Sequence, residues 1–273
     1  MDVGIDGVGQ SGKTTVFNAV TRGKAQTGFG GGHEPNIAVV KVPDRRLDTL
    51  TAMYKPKKHT PAEIRYVDFP AGFSREGPGT QFVGQLRTAD ALIHVVRAFD
   101  DPAVPHPDGS IDPVRDIAAL DLELAFADLA LIERRLERLA AELRSQKAGE
   151  RGAGEREQAL LNRLKAAMES EQPIRALDLA EDEQRTIAGY RFLTQKPLLL
   201  VFNVGDDQVA ERETLEAEWR TRYAQPHTDV AALCGRLEME LLDLTPEEAT
   251  EYRRELGLEE ETGLDRTIRL SYA

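Results

Sequence analysis

Eight residues near the start of the chain, Gly7-Val8-Gly9-Gln10-Ser11-Gly12-Lys13-Thr14, have the types and spacing of a phosphate cradle. Gly-x4-Gly-Lys-Thr needs a strand before it and a helix after it, and the flanking residues supply both patterns. The glycines let backbone N–H groups turn inward onto phosphate oxygens, and the following helix adds partial positive charge at its N-terminus. Lys13 is expected to reach the β- and γ-phosphates and the Thr14 hydroxyl to ligate Mg2+. Gly9, Gln10, Ser11, Gly12, Lys13, Thr14 and Thr15 make up the expected phosphate-binding set. The competing account is a chance glycine-rich turn, which the strand–loop–helix setting argues against.

Two further groups extend the chemistry. Asp68 closes an apolar run, where a carboxylate holds Mg2+ through water and acts with Thr14. Capping a turn is its alternative role. Asn203-Val204-Gly205-Asp206 follows the apolar run 198–202, the place of a G-protein base-reading motif, Asn-Lys-x-Asp. Asn203 would tie this loop to the cradle, and Asp206 would accept hydrogen bonds from the base edge. Val204 replaces the Lys that covers a face of the base. Cys234-Gly235-Arg236 lies where the loop backing the base would run, with a small buried thiol as the plain account of Cys234. His59, His94 and His227 read as structural, since nothing near them spaces as a metal ligand.

These groups require a frame of strands ending near one another. Runs at 3–6, 37–42, 64–67, 91–98, 198–203 and, more weakly, 230–233 read as strands, with a helix at 14–21 after the cradle. Alternation of strands and helices predicts a three-layer α/β domain with a mostly parallel sheet. From 116 to about 147 there is no Pro or Gly, and apolar residues fall at heptad spacing. Leu122, Leu129, Leu136 and Leu143 form one row, and Ala125, Ile132 and Leu139 the other, which predicts a coiled-coil seam. A turn-rich stretch at 148–154 precedes a second amphipathic helix with Leu161, Leu164 and Met168 on one stripe. The predicted organisation is a nucleotide-binding domain at 1–115 and 173–273, with a helical hairpin inserted at 116–172.

Composition sets the limits. The 273 residues are 41% hydrophobic and 30% charged, as in an ordinary globular protein. A net charge of −12 repels nucleic acid and anionic membrane as a whole-chain field, so no direct DNA binding is expected. Two local basic clusters, Arg134/Arg135/Arg138 and Lys55/Lys57/Lys58, could contact RNA but read first as solvated faces. The single cysteine excludes an internal disulfide and fits a reducing cytoplasm. No signal peptide or membrane-spanning run is expected.

In register, these pieces resemble the Obg-related GTPases, specifically the YchF-type ribosome-associated ATPases. Besides the cradle, the resemblance is carried by Glu34-Pro35-Asn36, Val42-Pro43-Asp44-Arg45-Arg46-Leu47-Asp48, Val67-Asp68 and Glu76-Gly77-Pro78-Gly79-Thr80-Gln81-Phe82. It continues through His94-Val95-Val96-Arg97-Ala98-Phe99, Arg175-Ala176-Leu177-Asp178-Leu179, Asn203-Val204 and Glu255-Leu256-Gly257-Leu258-Glu259-Glu260. It implies a G domain with an inserted coiled-coil hairpin, binding ATP or GTP with Mg2+ and partnering the ribosome or a ribosome-associated protein. It also implies a hydrophobic residue, Phe73, in place of the water-positioning Gln, and places His106 where a histidine is proposed to assist hydrolysis. A solvated turn residue is the alternative for His106.

The chain departs from the pattern in places. Gly32 stands where the family's first switch has a Thr, and Asp68-Phe69-Pro70-Ala71-Gly72 sets the second switch's Gly one residue late. Asp206 stands where relatives often carry Glu, and a shorter carboxylate suits guanine. The small β-rich TGS domain of the family would begin just after Ala273, so the chain reads as a short form or a fragment. Together these features predict a slow Mg2+-dependent ATPase or GTPase. Its rivals are a nucleotide-binding interaction protein with little hydrolysis and, more remotely, a P-loop small-molecule kinase.

Overall fold

The computed structural model describes residues 1–23, 35–69, 80–145, 147, 151–258 and 262–272. In chain order the strands are β1 (Asp2–Asp6), β2 (Asn36–Lys41), β3 (Glu63–Asp68), β4 (Ala91–Arg97), β5 (Leu198–Asn203) and β6 (Thr228–Leu233). The helices are α1 (Lys13–Thr21), α2 (Arg45–Tyr54), α3 (Thr80–Leu86), α4 (Pro113–Ser145), α5 (Gly152–Glu169), α6 (Glu181–Ile187), α7 (Arg212–Arg222), α8 (Gly235–Leu242), α9 (Pro246–Glu255) and α10 (Gly263–Tyr272). The strands form one sheet in the order β2-β3-β1-β4-β5-β6. All pairs are parallel except β2 with β3. The three-layer α/β architecture with a mostly parallel sheet therefore stands.

Burial explains which strands were easy to read. Every residue of β4 and β5 is buried, because helices cover both sheet faces there, so these strands appear as nearly continuous apolar runs, interrupted by His94 and Arg97 in β4 and ended by Asn203 in β5. On one face α1 and α10 bring Val16, Phe17, Val20, Leu264 and Ile268 onto Val3, Ile5, Ile93 and Val201. On the other, Phe82, Leu86, Ile117, Leu120 and Leu124 from α3 and α4 pack on Leu92, Val96, Leu200 and Phe202. Each such side chain contributes roughly 1.5–3 kcal/mol by leaving water. Edge strand β2 alternates half-buried and exposed residues, as a one-sided strand does. Helix α2 gave no sequence signal of its own because none of its residues is buried. It starts at Asp44, whose carboxylate accepts the Arg46 N–H at 2.9 Å.

The inserted helices α4 and α5 lie between β4 and β5 in sequence and pack against each other around Ile132, Leu139, Leu160, Leu161, Leu164 and Met168. The predicted stripe of α5 is thus buried. The heptad seam of α4 needs correcting at its N-terminal end. Leu122 is half exposed there, while Ile117, Leu120 and Leu124 face the sheet. The first turns of α4 serve a globular core, so the buried line drifts at the 3.6-residue period before the hairpin contacts take over. At the changeover Asp128 is fully buried, accepting from Arg87 Nη1 at 2.8 Å, the Leu193 and Thr194 N–H groups at 3.1 and 2.8 Å, and the Thr194 hydroxyl. That pin fixes the hairpin's exit from the sheet. Arg135, expected on a solvated face, instead bonds Glu157 of α5 at 2.9 Å and the Tyr190 hydroxyl at 3.1 Å.

Candidate functional site

The cradle follows β1, whose neighbours β3 and β4 lead the chain away on opposite sides; this is the switch point where α/β sheets bind ligands. Gly12 takes φ +88°, and a Cβ there would sit 2.3 Å from Asn203 Nδ2. No other residue type fits both constraints. Lys13 Nζ donates to the Gly7 carbonyl at 3.0 Å, holding the side chain back across the loop. Burial pushes the Lys13 pKa down, opposed by the charges of Asp68 and Asp6. A cation desolvated in this way is attracted to a phosphate more strongly than a hydrated one. The Ser11 hydroxyl and Gln10 Oε1 are buried with no hydrogen-bond partner among the described residues.

Thr14 and Asp68, the residues expected to hold Mg2+, lie within hydrogen-bond distance of each other. The Thr14 hydroxyl donates to Asp68 Oδ2 at 3.0 Å. Asn36 also donates to Asp68 Oδ2, at 3.1 Å, from its position directly across the β2–β3 ladder. Asp68 is buried, and its Oδ1 has no partner among the described residues. A buried, unsatisfied carboxylate oxygen beside a hydroxyl is a donor set that fits a hard divalent cation. Asn36 was not read as a site residue; only the antiparallel pairing, invisible to local spacing, brings it to Asp68.

At the other end, Asn203 is a strut. Its Nδ2 donates to the Ser11 carbonyl at 3.1 Å, and its Oδ1 accepts the Gly235 N–H at 2.9 Å. The cradle, the end of β5 and the start of α8 are therefore joined through one amide. A side chain at Gly235 would be tight, since a Cβ would lie 3.1 Å from Asn203 Oδ1 and 3.3 Å from Thr15 Cγ2, so the strut would have to shift by a few tenths of an ångström to admit one. Cys234 caps α8, and its buried thiol donates to Asp206 Oδ1 at 3.2 Å. Burial, with the Asp206 contact adding to it, pushes the thiol up to about 12. The other Asp206 oxygen lies 3.5 Å from the exposed Arg236 guanidinium. Val204, expected beside the base, is buried among Val209, Leu237 and Leu241, so its side chain serves the core. Phe99 stands against the positions of both Gly12 and Gly205, with the Arg97 guanidinium 4.3 Å over its ring. Phe99 was missed because its place beside the loops comes from β4 ending there.

His106 corrects the solvated-turn alternative, for it is buried. Its Nδ1 accepts the Asp108 N–H at 3.1 Å, so the proton lies on Nε2, which donates to Asp116 Oδ2 at 3.0 Å. Arg115 holds the second Asp116 oxygen at 2.8 Å. The neighbouring Pro107 would lie 3.7 Å from a Cβ on Gly9, which puts this loop beside the cradle. His94 is buried in β4 as expected and contacts Asp6 through Nδ1. Gly32 lies within 24–34, and Pro70, Ala71, Gly72 and Phe73 lie within 70–79, both stretches outside the described residues.

No family model matches the chain. Among curated proteins, the ribosome-binding ATPase YchF of Bacillus subtilis is 37% identical over 281 residues, covering 100% of this chain and 75% of that protein. The ribosome-binding ATPase YchF of Escherichia coli O157:H7 is 36% identical over 279 residues, covering 98% and 74%. Among solved structures, the Schizosaccharomyces pombe YchF GTPase superposes with a TM-score of 0.82 at 30% identity, covering 100% of this chain and 75% of that one.

Proposed function

The chain belongs to the YchF family of P-loop ATPases and GTPases, and from that premise we propose that it binds a purine nucleoside triphosphate with Mg2+, hydrolyses it slowly and associates with the ribosome in the cytoplasm. The observation that carries the nucleotide reading is the meeting of Lys13, Thr14 and Asp68 at the end of β1, with Asn203 bracing the loop from the base side. Lys13 and the cradle amides bind the phosphates and stabilise negative charge as the γ-phosphate leaves. Thr14 and Asp68 would hold Mg2+, which when bound would neutralise phosphate charge. Asp206 reads the base edge, and Phe99 gives the site an apolar wall.

The rival reading, nucleotide binding with little intrinsic hydrolysis, is favoured by His106. Both of its ring nitrogens are engaged by Asp108 and Asp116, which leaves no lone pair to take a proton from water. Phosphate release with Mg2+ and either ATP or GTP separates the two readings. Turnover that falls at least a hundredfold in Lys13→Ala supports the enzyme; no Lys13-dependent turnover overturns it. Titration with fluorescent ATP and GTP analogues sets the base preference, and a preference for GTP that vanishes in Asp206→Ala assigns Asp206 as its reader.

A further inference from the structure

We propose that the end of α2 and the segment after it form a contact surface for single-stranded RNA, centred on Met53, Tyr54, Lys55, Lys57 and Lys58. Leu50, Met53 and Tyr54 fall at i, i+3 and i+4, one face of α2, and are 51%, 68% and 75% exposed. Helices of a globular domain ordinarily turn such a face inward, yet α2 has no buried residue. Three large apolar side chains left adjacent in water mark a contact site rather than the scattered exposure usual on surfaces.

Charge selects the occupant. Between Lys41 and Lys58 six basic residues oppose two acids, so the segment carries +4 within a chain of −12. Of the two acids, Asp44 is already bound to Arg46 at 2.9 Å. Lys55, Lys57 and Lys58 are exposed and form no ion pair among the described residues. Capping the helix accounts for Lys55 but not for Lys57 and Lys58. Lys55 ends α2 with φ 43°, and Lys57 and Lys58 lie past the end, where the attraction of the helix C-terminus has faded. An exposed aromatic ring followed by unpaired cations suits a strand of unstacked bases, the ring stacking on a base while the ammonium groups follow the phosphates. An acidic peptide would use the charges and leave the Tyr54 face unexplained.

The inference deepens the ribosome part of the proposed function, and rests on it only for the source of the RNA. The test is fluorescence anisotropy of a labelled 12-nucleotide oligoadenylate at several salt concentrations, with dodecaglutamate as the control ligand. Binding by the wild type is expected to weaken with salt. Replacing Lys55, Lys57 and Lys58 together by Ala is expected to lower the log–log salt slope by about 2. Tyr54→Ala is expected to weaken binding about five- to thirtyfold at unchanged slope, since stacking releases no counterions. These side chains are exposed, so unchanged melting curves check that the variants fold. The proposal is overturned if the wild type ignores the RNA at 50 mM salt, if both variants bind like the wild type, or if dodecaglutamate binds equally well. Co-sedimentation with ribosomes keeps the two readings apart: a wild type that fails to pellet overturns ribosome association, whereas a Lys variant that pellets as fully as the wild type overturns only this surface.

Discussion

At the scale of single residues, the site is a set of polar atoms whose satisfaction depends on one another. Asn203 shows it most directly, since its amide closes both the Ser11 carbonyl and the Gly235 N–H. Asn203→Ala is expected to cost about 2 kcal/mol in chemical denaturation, because two buried backbone groups lose their partner. Nucleotide affinity should fall at least tenfold in the same variant, read by titration. Cys234 gives a second test. With its thiol pushed up to about 12, the native protein should resist iodoacetamide at pH 8 while the urea-unfolded chain reacts. The sign of the linkage follows: the folded thiol holds its proton more tightly than the unfolded one. Its contribution to stability is complete below the ordinary thiol value near 9 and is lost as pH climbs from there toward 12. The cradle, Asp68 and Asn203 were legible because their chemistry lies in local spacing. Asn36 and Asp116 were not, because each meets its partner only through a ladder or a buried turn.

At the scale of elements, α4 does two jobs along one helix. Its first turns cover the sheet through Ile117, Leu120 and Leu124, and its later turns face α5 through Ile132 and Leu139. Ile132→Ala is therefore expected to destabilise by about 2–4 kcal/mol, since Ile132 is fully buried in the hairpin core. Leu122→Ala should stay within about 0.5 kcal/mol, although the heptad pattern ranks the two alike. Equal losses in urea melts would restore the continuous seam. The heptads thus identified the hairpin correctly and misplaced its start, because period 3.5 and period 3.6 diverge only slowly.

At the scale of the whole molecule, ligand binding and folding share one equilibrium. Mg2+ with nucleotide at about a hundred times its dissociation constant should stabilise the wild type by about 2.7 kcal/mol, and Lys13→Ala should show little of that gain. Thermal melts with and without ligand read both. The sequence by itself determined the α/β class, the cradle and an inserted hairpin, and it supplied the expectation that Asp68 serves a metal and 203–206 the base, since each is written in runs of neighbouring residues. Only the tertiary structure decided that β2 runs antiparallel, that Val204 turns into the core, that His106 is held by Asp116, and that α2 is left uncovered. Those outcomes depend on which surfaces meet across distances of tens of residues, and a local pattern of types and spacings carries no record of them.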